Sequence, residues 1–147
     1  MSTPENSPHW SAPERAQPLR HSLSLPGSKS LTNRELVLAA LAEGPSTLRR
    51  PLHSRDTALM VEALRSLGAI ITEIPGEGAF GPDLAITPIP AGHNVSASID
   101  CGLAGTVMRF VPPLAALVTG TLRFDGDIGA RRRPMATTLH ALTQLGL

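Results

Sequence analysis

Apolar positions follow two different periods along this chain, and together they predict alternating strands and helices after residue 18. Alternation of apolar and polar residues in Leu19–Leu25 is typical of a half-buried strand. The segment Leu31–Glu43 is apolar on nearly every side, which predicts a buried helix that Gly44 ends. Met60, Ala63, Leu64 and Leu67 keep the i, i+3, i+4, i+7 spacing of a second, one-sided helix.

Further elements follow the same reasoning. Asp56 is the predicted cap of the second helix, and Gly68 ends it. Strands are expected at Ser46–Arg50, Ala69–Ile74, Leu84–Thr87 and Thr121–Asp125, with another ending at Ile99. Helices are expected from Gly102–Gly105 to Val118, kinked or broken at Pro112–Pro113, and from Pro134 through Leu139, Leu142 and Leu145.

The pattern repeats. Arg34 and Arg109 lie 75 positions apart, and Leu67-Gly68 recurs as Leu145-Gly146. The repetition predicts an α/β (α+β) fold of βαβαββ units, the first about 26–99 and the second about 100–147, with residues 1–18 a disordered tail. The second unit stops before its closing hairpin, so we expect a truncated chain.

Composition narrows the function classes. A formal net charge of +1 does not favour a nucleic-acid surface, and no apolar run approaches the ~20 residues that span a bilayer. The single cysteine, Cys101, cannot form a disulfide framework or a zinc site with a second cysteine, and we expect it to be buried. The Pro/Ser-rich start carries Glu5 and Glu14 and lacks the apolar core of a signal peptide, which indicates a cytoplasmic protein.

Lys29 is the only lysine in a chain with twelve arginines. It lies with Ser30 where the first strand hands over to a helix N-terminus, whose free N–H groups and positive dipole end attract phosphate or carboxylate. Arg34 follows Ser30 by one helical turn and can face the same ligand. The alternative is a capping serine, a solvated lysine and a surface arginine. The combination favours an anion site, although the glycines of a nucleotide P-loop are absent.

Three segments carry a family resemblance. They are Pro26-Gly27-Ser28-Lys29-Ser30-Leu31-Thr32-Asn33-Arg34, Leu103-Ala104-Gly105-Thr106-Val107-Met108-Arg109 and Asp127-Ile128-Gly129-Ala130-Arg131-Arg132-Arg133-Pro134. Their order and spacing resemble the 5-enolpyruvylshikimate-3-phosphate synthase (3-phosphoshikimate 1-carboxyvinyltransferase) family over about Leu19 to Leu147. The resemblance implies the inside-out barrel fold of enolpyruvyl transferases, incomplete here, in which the first strand belongs to the C-terminal domain.

The resemblance also implies the chemistry. Members transfer the enolpyruvyl group from phosphoenolpyruvate to the 5-hydroxyl of shikimate 3-phosphate, release phosphate, and serve aromatic amino acid biosynthesis through chorismate. No cofactor or metal is expected. The expected partners are the two small-molecule substrates, with no nucleic acid or membrane, and the full-length protein is expected to be a monomer.

Site residues follow by position. The resemblance makes Lys29 catalytic and a ligand of both substrates, and it assigns Ser30 and Arg34 to shikimate 3-phosphate. It assigns Gly105 and Arg131 to phosphoenolpyruvate. The alternatives are a helix-start glycine at 105 and a solvated basic loop at 131–133. Leu103 departs from the family's usual asparagine and removes a polar side chain beside Gly105.

Two other functions remain open. The sister family, UDP-N-acetylglucosamine 1-carboxyvinyltransferase, shares the fold and Ile128-Gly129-Ala130-Arg131, but it usually has asparagine after the lysine where this chain has Ser30. A non-catalytic anion-binding fragment is the alternative from a different class. No pair of Asp or Glu residues stands out as general acid and base, so we expect the 147-residue chain alone to be inactive.

Overall fold

The computed structural model of the protein describes residues 12–77 and 79–147, which form a mixture of helices and short strands. In chain order the elements are α1 (Lys29–Ala40), β1 (Ser46–Leu48), α2 (Arg55–Ser66), β2 (Ile70–Ile74), β3 (Asp83–Thr87), β4 (Ala97–Asp100), α3 (Gly105–Ala115), β5 (Leu122–Asp125), α4 (Ile128–Arg131) and α5 (Ala136–Gln144).

The strands form two separate small sheets. In the first, β3 lies between β1 and β2 and is antiparallel to both, with Ala85 opposite Thr47 on one side and Thr72 on the other. In the second, β4 and β5 are parallel, with Ile99 opposite Phe124. Parallel neighbours need a long connection, and α3 supplies it here.

A core shared by α1, α2 and α3 joins the two halves of the described chain. The largest fully buried apolar side chains are Leu36, Met60, Leu64, Leu67, Ile86, Ile99, Val107 and Val111. The predicted apolar face of α2 is therefore confirmed, and Gly68 follows its last residues with a φ of +106°, a conformation that favours glycine.

The predicted cap of α2 was wrong. Ser54 is the N-cap, and its hydroxyl accepts a hydrogen bond from the Thr57 N–H, while the Thr57 hydroxyl is bonded to the Ser54 backbone N–H. This reciprocal capping box satisfies two backbone donors at once. Asp56 lies in the first turn, where its carboxylate is free to pair elsewhere.

The predicted strand at Leu19–Leu25 was also wrong, because residues 17–28 belong to no helix or strand. Leu19, Leu23 and Leu25 are each more than two-thirds exposed. An alternating pattern shows which side chains could share a face, but a strand also needs a neighbour to bond with, and the described residues offer none. Residues 1–11 of the predicted tail lie outside the described residues.

Helix α1 is buried on one side only, although its sequence predicted burial all round. Leu36 and Ala40 face the core, whereas Leu38 is 66% exposed. Two polar residues, Thr32 and Asn33, occupy buried positions that the apolar residues were expected to fill. Their hydrogen-bond partners lie on neighbouring elements, which fixes the rotation of the helix about its axis.

The C-terminal part departs from prediction in its details. Helix α3 runs through Pro112 and Pro113, the unpredicted single turn α4 follows β5, and α5 begins at Ala136 after Pro134. No residue of α5 is fully buried.

The thiol of Cys101 is buried, as expected, and that burial together with nearby Asp100 and Asp125 raises its pKa.

Within the described residues, no helix combines the length and apolarity needed to cross a bilayer.

Arg50 is the one non-glycine residue with a positive φ among the described residues, at 51°. A left-handed conformation costs a residue with a Cβ roughly 1–2 kcal/mol, partly offset by the greater entropy glycine loses on folding. We expect Arg50→Gly to raise the free energy of unfolding by about 0.5–1 kcal/mol in urea denaturation. Arg49→Gly is the matched control and should not stabilise; equal effects of the two substitutions would contradict this explanation.

Candidate functional site

The N-terminus of α1 carries the first group of predicted residues. Ser28, and not Ser30, is the N-cap, and its hydroxyl faces the Leu31 N–H at 3.5 Å. Lys29 and Ser30 therefore lie in the first turn. The Lys29 ammonium is half-exposed and forms a 2.8 Å ion pair with Oδ2 of Asp56 at the start of α2. This pair fixes the position of the single ammonium between two helix N-termini.

Ser30 and Arg34 are exposed on α1, and neither side chain has a hydrogen-bond or ion-pair partner in the part of the chain that the structure describes. Their donors are accessible to a ligand. The one-turn spacing that predicted a shared ligand is present because both residues belong to the same regular helix.

The N-terminus of α3 carries the second group. Gly105 is its first residue, and the preceding N-cap, Ala104, offers no side-chain acceptor to the first-turn N–H groups. Two guanidinium groups approach this glycine: a methyl group added there would lie 3.1 Å from Arg109 Nη1 and 3.2 Å from Arg133 Nη1. The missing side chain thus leaves a small concave space beneath two cations.

Backbone carbonyls hold both guanidiniums in place. Arg109 Nη1 donates to the Gly105 carbonyl at 3.3 Å, and Arg133 Nη1 donates to the Leu103 carbonyl at 2.7 Å. Within the described ranges, neither arginine pairs with a carboxylate. Two uncompensated cations above uncapped helix N–H groups form a site suited to an anion.

Arg131 lies apart from this pair. Its guanidinium binds both carboxylate oxygens of Asp125, at 2.8 Å and 2.9 Å. The hydrogen bonds from Arg131 and from the Gly126 N–H lower the pKa of Asp125, and those to Asp125 raise the pKa of Arg131. Because the pKa of Asp125 is lowered, its carboxylate is ionised and paired at pH values above the ordinary pKa of Asp. The ion pair is lost only as the pH falls through the lowered pKa of the folded state. At neutral pH the charged guanidinium of Arg131 is therefore already paired with the Asp125 carboxylate.

Two polar links connect the N-terminal helices with the segments around Gly105. Arg55 Nη2 of α2 binds Oδ2 of Asp127 at 3.1 Å, just before α4. Asn33 Nδ2 of α1 donates to Thr106 Oγ1 at 2.6 Å, directly after Gly105. The described chain contains no group of three or more His, Cys, Asp or Glu side chains placed to hold a metal ion.

Sequence reasoning missed three of these features. The sequence predicts a cap at Asp56 but not the ion pair of that residue with Lys29. It gives no signal for the pair of Arg131 with Asp125 or for the hydrogen bond from Asn33 to α3. The choice between Arg131 and Arg133 depends on the single turn of α4, which directs the first to Asp125 and the second to Leu103. A one-turn helix leaves too short a pattern to be recognised in a sequence.

Comparisons with known proteins agree on one family. The family model described as EPSP synthase (3-phosphoshikimate 1-carboxyvinyltransferase) matches residues 13–147. A 3-phosphoshikimate 1-carboxyvinyltransferase of Kocuria rhizophila is 62% identical over an alignment of 143 residues, and the alignment covers 94% of this chain and 32% of that protein. The chain therefore spans about a third of the length of this curated relative.

Solved structures share the fold. Two structures of EPSP synthase from Acinetobacter baumannii, one described at 2.37 Å, each match 84% of this chain with a TM-score of 0.64 and 24% identity. The matched region covers 28% of one of those chains and 27% of the other. By its sequence match over residues 13–147, the chain belongs to the EPSP synthase (3-phosphoshikimate 1-carboxyvinyltransferase) family.

Proposed function

We propose that this chain supplies anion-binding residues for enolpyruvyl transfer from phosphoenolpyruvate to shikimate 3-phosphate. The observation that carries the proposal is the convergence of Arg109 and Arg133 on Gly105 at an uncapped helix N-terminus. Neither arginine forms an ion pair with a carboxylate of the described residues. Both substrates are polyanions, and preorganised donors that hold them in a fixed geometry contribute to rate by orientation and by charge stabilisation.

The reaction is an addition followed by an elimination. The 5-hydroxyl group of shikimate 3-phosphate gives up its proton as its oxygen bonds to C2 of phosphoenolpyruvate, and C3 takes up a proton, which gives a tetrahedral intermediate. Loss of a proton from C3 then expels phosphate and restores the double bond. Lys29 is the residue we assign to both substrates, because its ammonium, held by Asp56, lies at the start of α1 beside Ser30.

Ser30 and Arg34 are assigned to shikimate 3-phosphate, since both are exposed on α1 with donors free to bind a phosphate. Gly105 is assigned to phosphoenolpyruvate. For the accompanying arginine, the geometry favours Arg133 over the sequence-based choice of Arg131, because Arg131 is engaged by Asp125.

The complete fold and setting belong to the same proposal. We infer a first βαβαββ unit at about 26–99 and a second, truncated unit at about 100–147, both parts of an inside-out barrel, in an enzyme that is cytoplasmic and, at full length, monomeric. The recurrence of Leu67-Gly68 as Leu145-Gly146 supports the repeat.

Lys29→Met should abolish phosphate release in the protein as its gene encodes it, because it removes the ammonium placed for both substrates. Asp56 would then be left unpaired, and its carboxylate would repel the anionic substrates. The double variant Lys29→Met with Asp56→Asn removes that repulsion as well, and it should remain inactive because the ammonium is still missing. Arg123→Met, which removes an exposed cation on β5, is the control and should keep normal turnover.

The same assay identifies the function. Phosphate release should require shikimate 3-phosphate as acceptor and should not occur with UDP-N-acetylglucosamine. Turnover with the nucleotide sugar alone would assign the chain to the sister activity. Substrate binding without turnover would support the non-catalytic alternative.

Arg133→Met should weaken phosphoenolpyruvate binding by about 10- to 100-fold, the effect of removing a hydrogen bond from a charged donor worth about 1.5–3 kcal/mol. Arg131→Met is the matched comparison and should change affinity much less, since its guanidinium is already paired. Titration calorimetry with phosphoenolpyruvate measures both. A larger loss in the Arg131 variant would restore the sequence-based assignment.

Gly105→Ala should raise the KM for phosphoenolpyruvate on the order of 10-fold, because the new methyl group lies between phosphoenolpyruvate and the two guanidiniums. Binding of bulkier mimics of phosphoenolpyruvate should be weakened more. Gly44→Ala is the control, since a Cβ at that position meets nothing within 4 Å. Unchanged KM and inhibition constants in the Gly105 variant would exclude close approach of the donor to this backbone.

A further inference from the structure

Asn33 is the most completely buried polar residue in the described chain, with 0% of its surface exposed. Its Nδ2 donates to Thr106 Oγ1 at 2.6 Å, whereas its Oδ1 is buried and has no hydrogen-bond partner among the described residues. An unsatisfied buried acceptor is destabilising, because the group has lost its hydrogen bonds to water without gaining others. Leucine has nearly the same size and would avoid that cost, so stability alone does not account for an amide at this position.

The one side-chain hydrogen bond that Asn33 makes within the described residues joins α1 to α3, the two helices whose N-termini carry the candidate site. Asn33 lies one turn after Lys29 on α1, and Thr106 directly follows Gly105 on α3. Leu36, Met60 and Val107 are fully buried in the common core and contribute apolar packing. The other polar link to this region, from Arg55 to Asp127, starts from α2 and not from α1. Apolar packing is not directional, so it fixes the distance between two helices better than their axial register.

We propose that Asn33 is a positioning residue that sets the register of α3 against α1, and thereby the separation of Gly105 from the Lys29 ammonium. This rests on the proposed function, in which α1 presents shikimate 3-phosphate and the start of α3 presents phosphoenolpyruvate. Each helix keeps its own ligand contacts when the register changes. What changes is the alignment of the two substrates, to which rate is sensitive: a misplacement of about 1 Å can cost about 10²-fold.

The test compares removing one partner with removing both. Thr106→Val leaves the amide unpaired and should lower both thermal stability and turnover. The double variant Asn33→Leu with Thr106→Val replaces the bond by two apolar groups of similar shape, which restores stability. In the protein as its gene encodes it, the double variant should melt close to the unsubstituted protein and yet have a kcat lower by about 10-fold or more.

Binding separates register from simple loss of a contact. The affinity of the double variant for shikimate 3-phosphate alone should be unchanged, because the α1 donors are untouched. Thr106→Ser keeps the hydroxyl and should retain near-normal kcat. Recovery of kcat together with stability in the double variant would overturn the proposal, since Asn33 would then have only a structural role.

A measurement independent of activity distinguishes failure of this inference from failure of the proposed function. In ¹⁵N-labelled protein, the amide resonance of Gly105 should shift or broaden in the single variant Asn33→Leu, which leaves the sequence neighbours of Gly105 unchanged, while that of Gly44 should not. If the unsubstituted protein shows no enolpyruvyl transfer but Gly105 responds, the function is wrong and the positioning role stands. An unchanged Gly105 resonance excludes the positioning role whatever the activity.

Discussion

One apolar core beneath three helices determines where every cation of the site can lie. Leu36 of α1, Met60 and Leu64 of α2, and Val107 of α3 are all fully buried in the same cluster. Burying each such side chain contributes about 1.5–3 kcal/mol, more than any exposed ion pair around the site. The start of α1, with Lys29, and the start of α2, with Asp56, are brought together by this packing, and the 2.8 Å pair between them is a consequence of it.

Electrostatics then divides the cations into two classes. Lys29, Arg55 and Arg131 each have a carboxylate partner, while Arg109 and Arg133 converge on one glycine without one among the described residues. Two guanidiniums that both approach the same glycine repel each other, and exposure to solvent weakens this repulsion without removing it. An anion bound at Gly105 would replace that repulsion by attraction. The ligand would therefore contribute to holding its own site together, which is a form of linkage between binding and local stability.

Local patterns predicted what depends on neighbouring residues and failed where the partner is distant. The apolar face of α2 follows from the spacing of its apolar residues, and its end follows from the glycine at position 68, which has a positive φ in the structure. The strand at Leu19–Leu25 did not form, because strand formation requires a second strand. For the same reason the motif around Gly105 is recognisable in the sequence, whereas the approach of Arg133 to that glycine is not. That approach depends on which backbone carbonyl the guanidinium reaches after α4.

The preference for arginine at the second helix start has a geometric reason. A guanidinium carries five N–H donors in a fixed fork, so one can bond a backbone carbonyl while the others remain available. Arg133 uses Nη1 on the Leu103 carbonyl and Arg109 uses Nη1 on the Gly105 carbonyl, which anchors both cations to the turn that begins α3. An ammonium on a flexible stem could not be held this way with as many donors left over. Lys29 needs no such anchor, because its ion pair with Asp56 orients the compact ammonium at the start of α1.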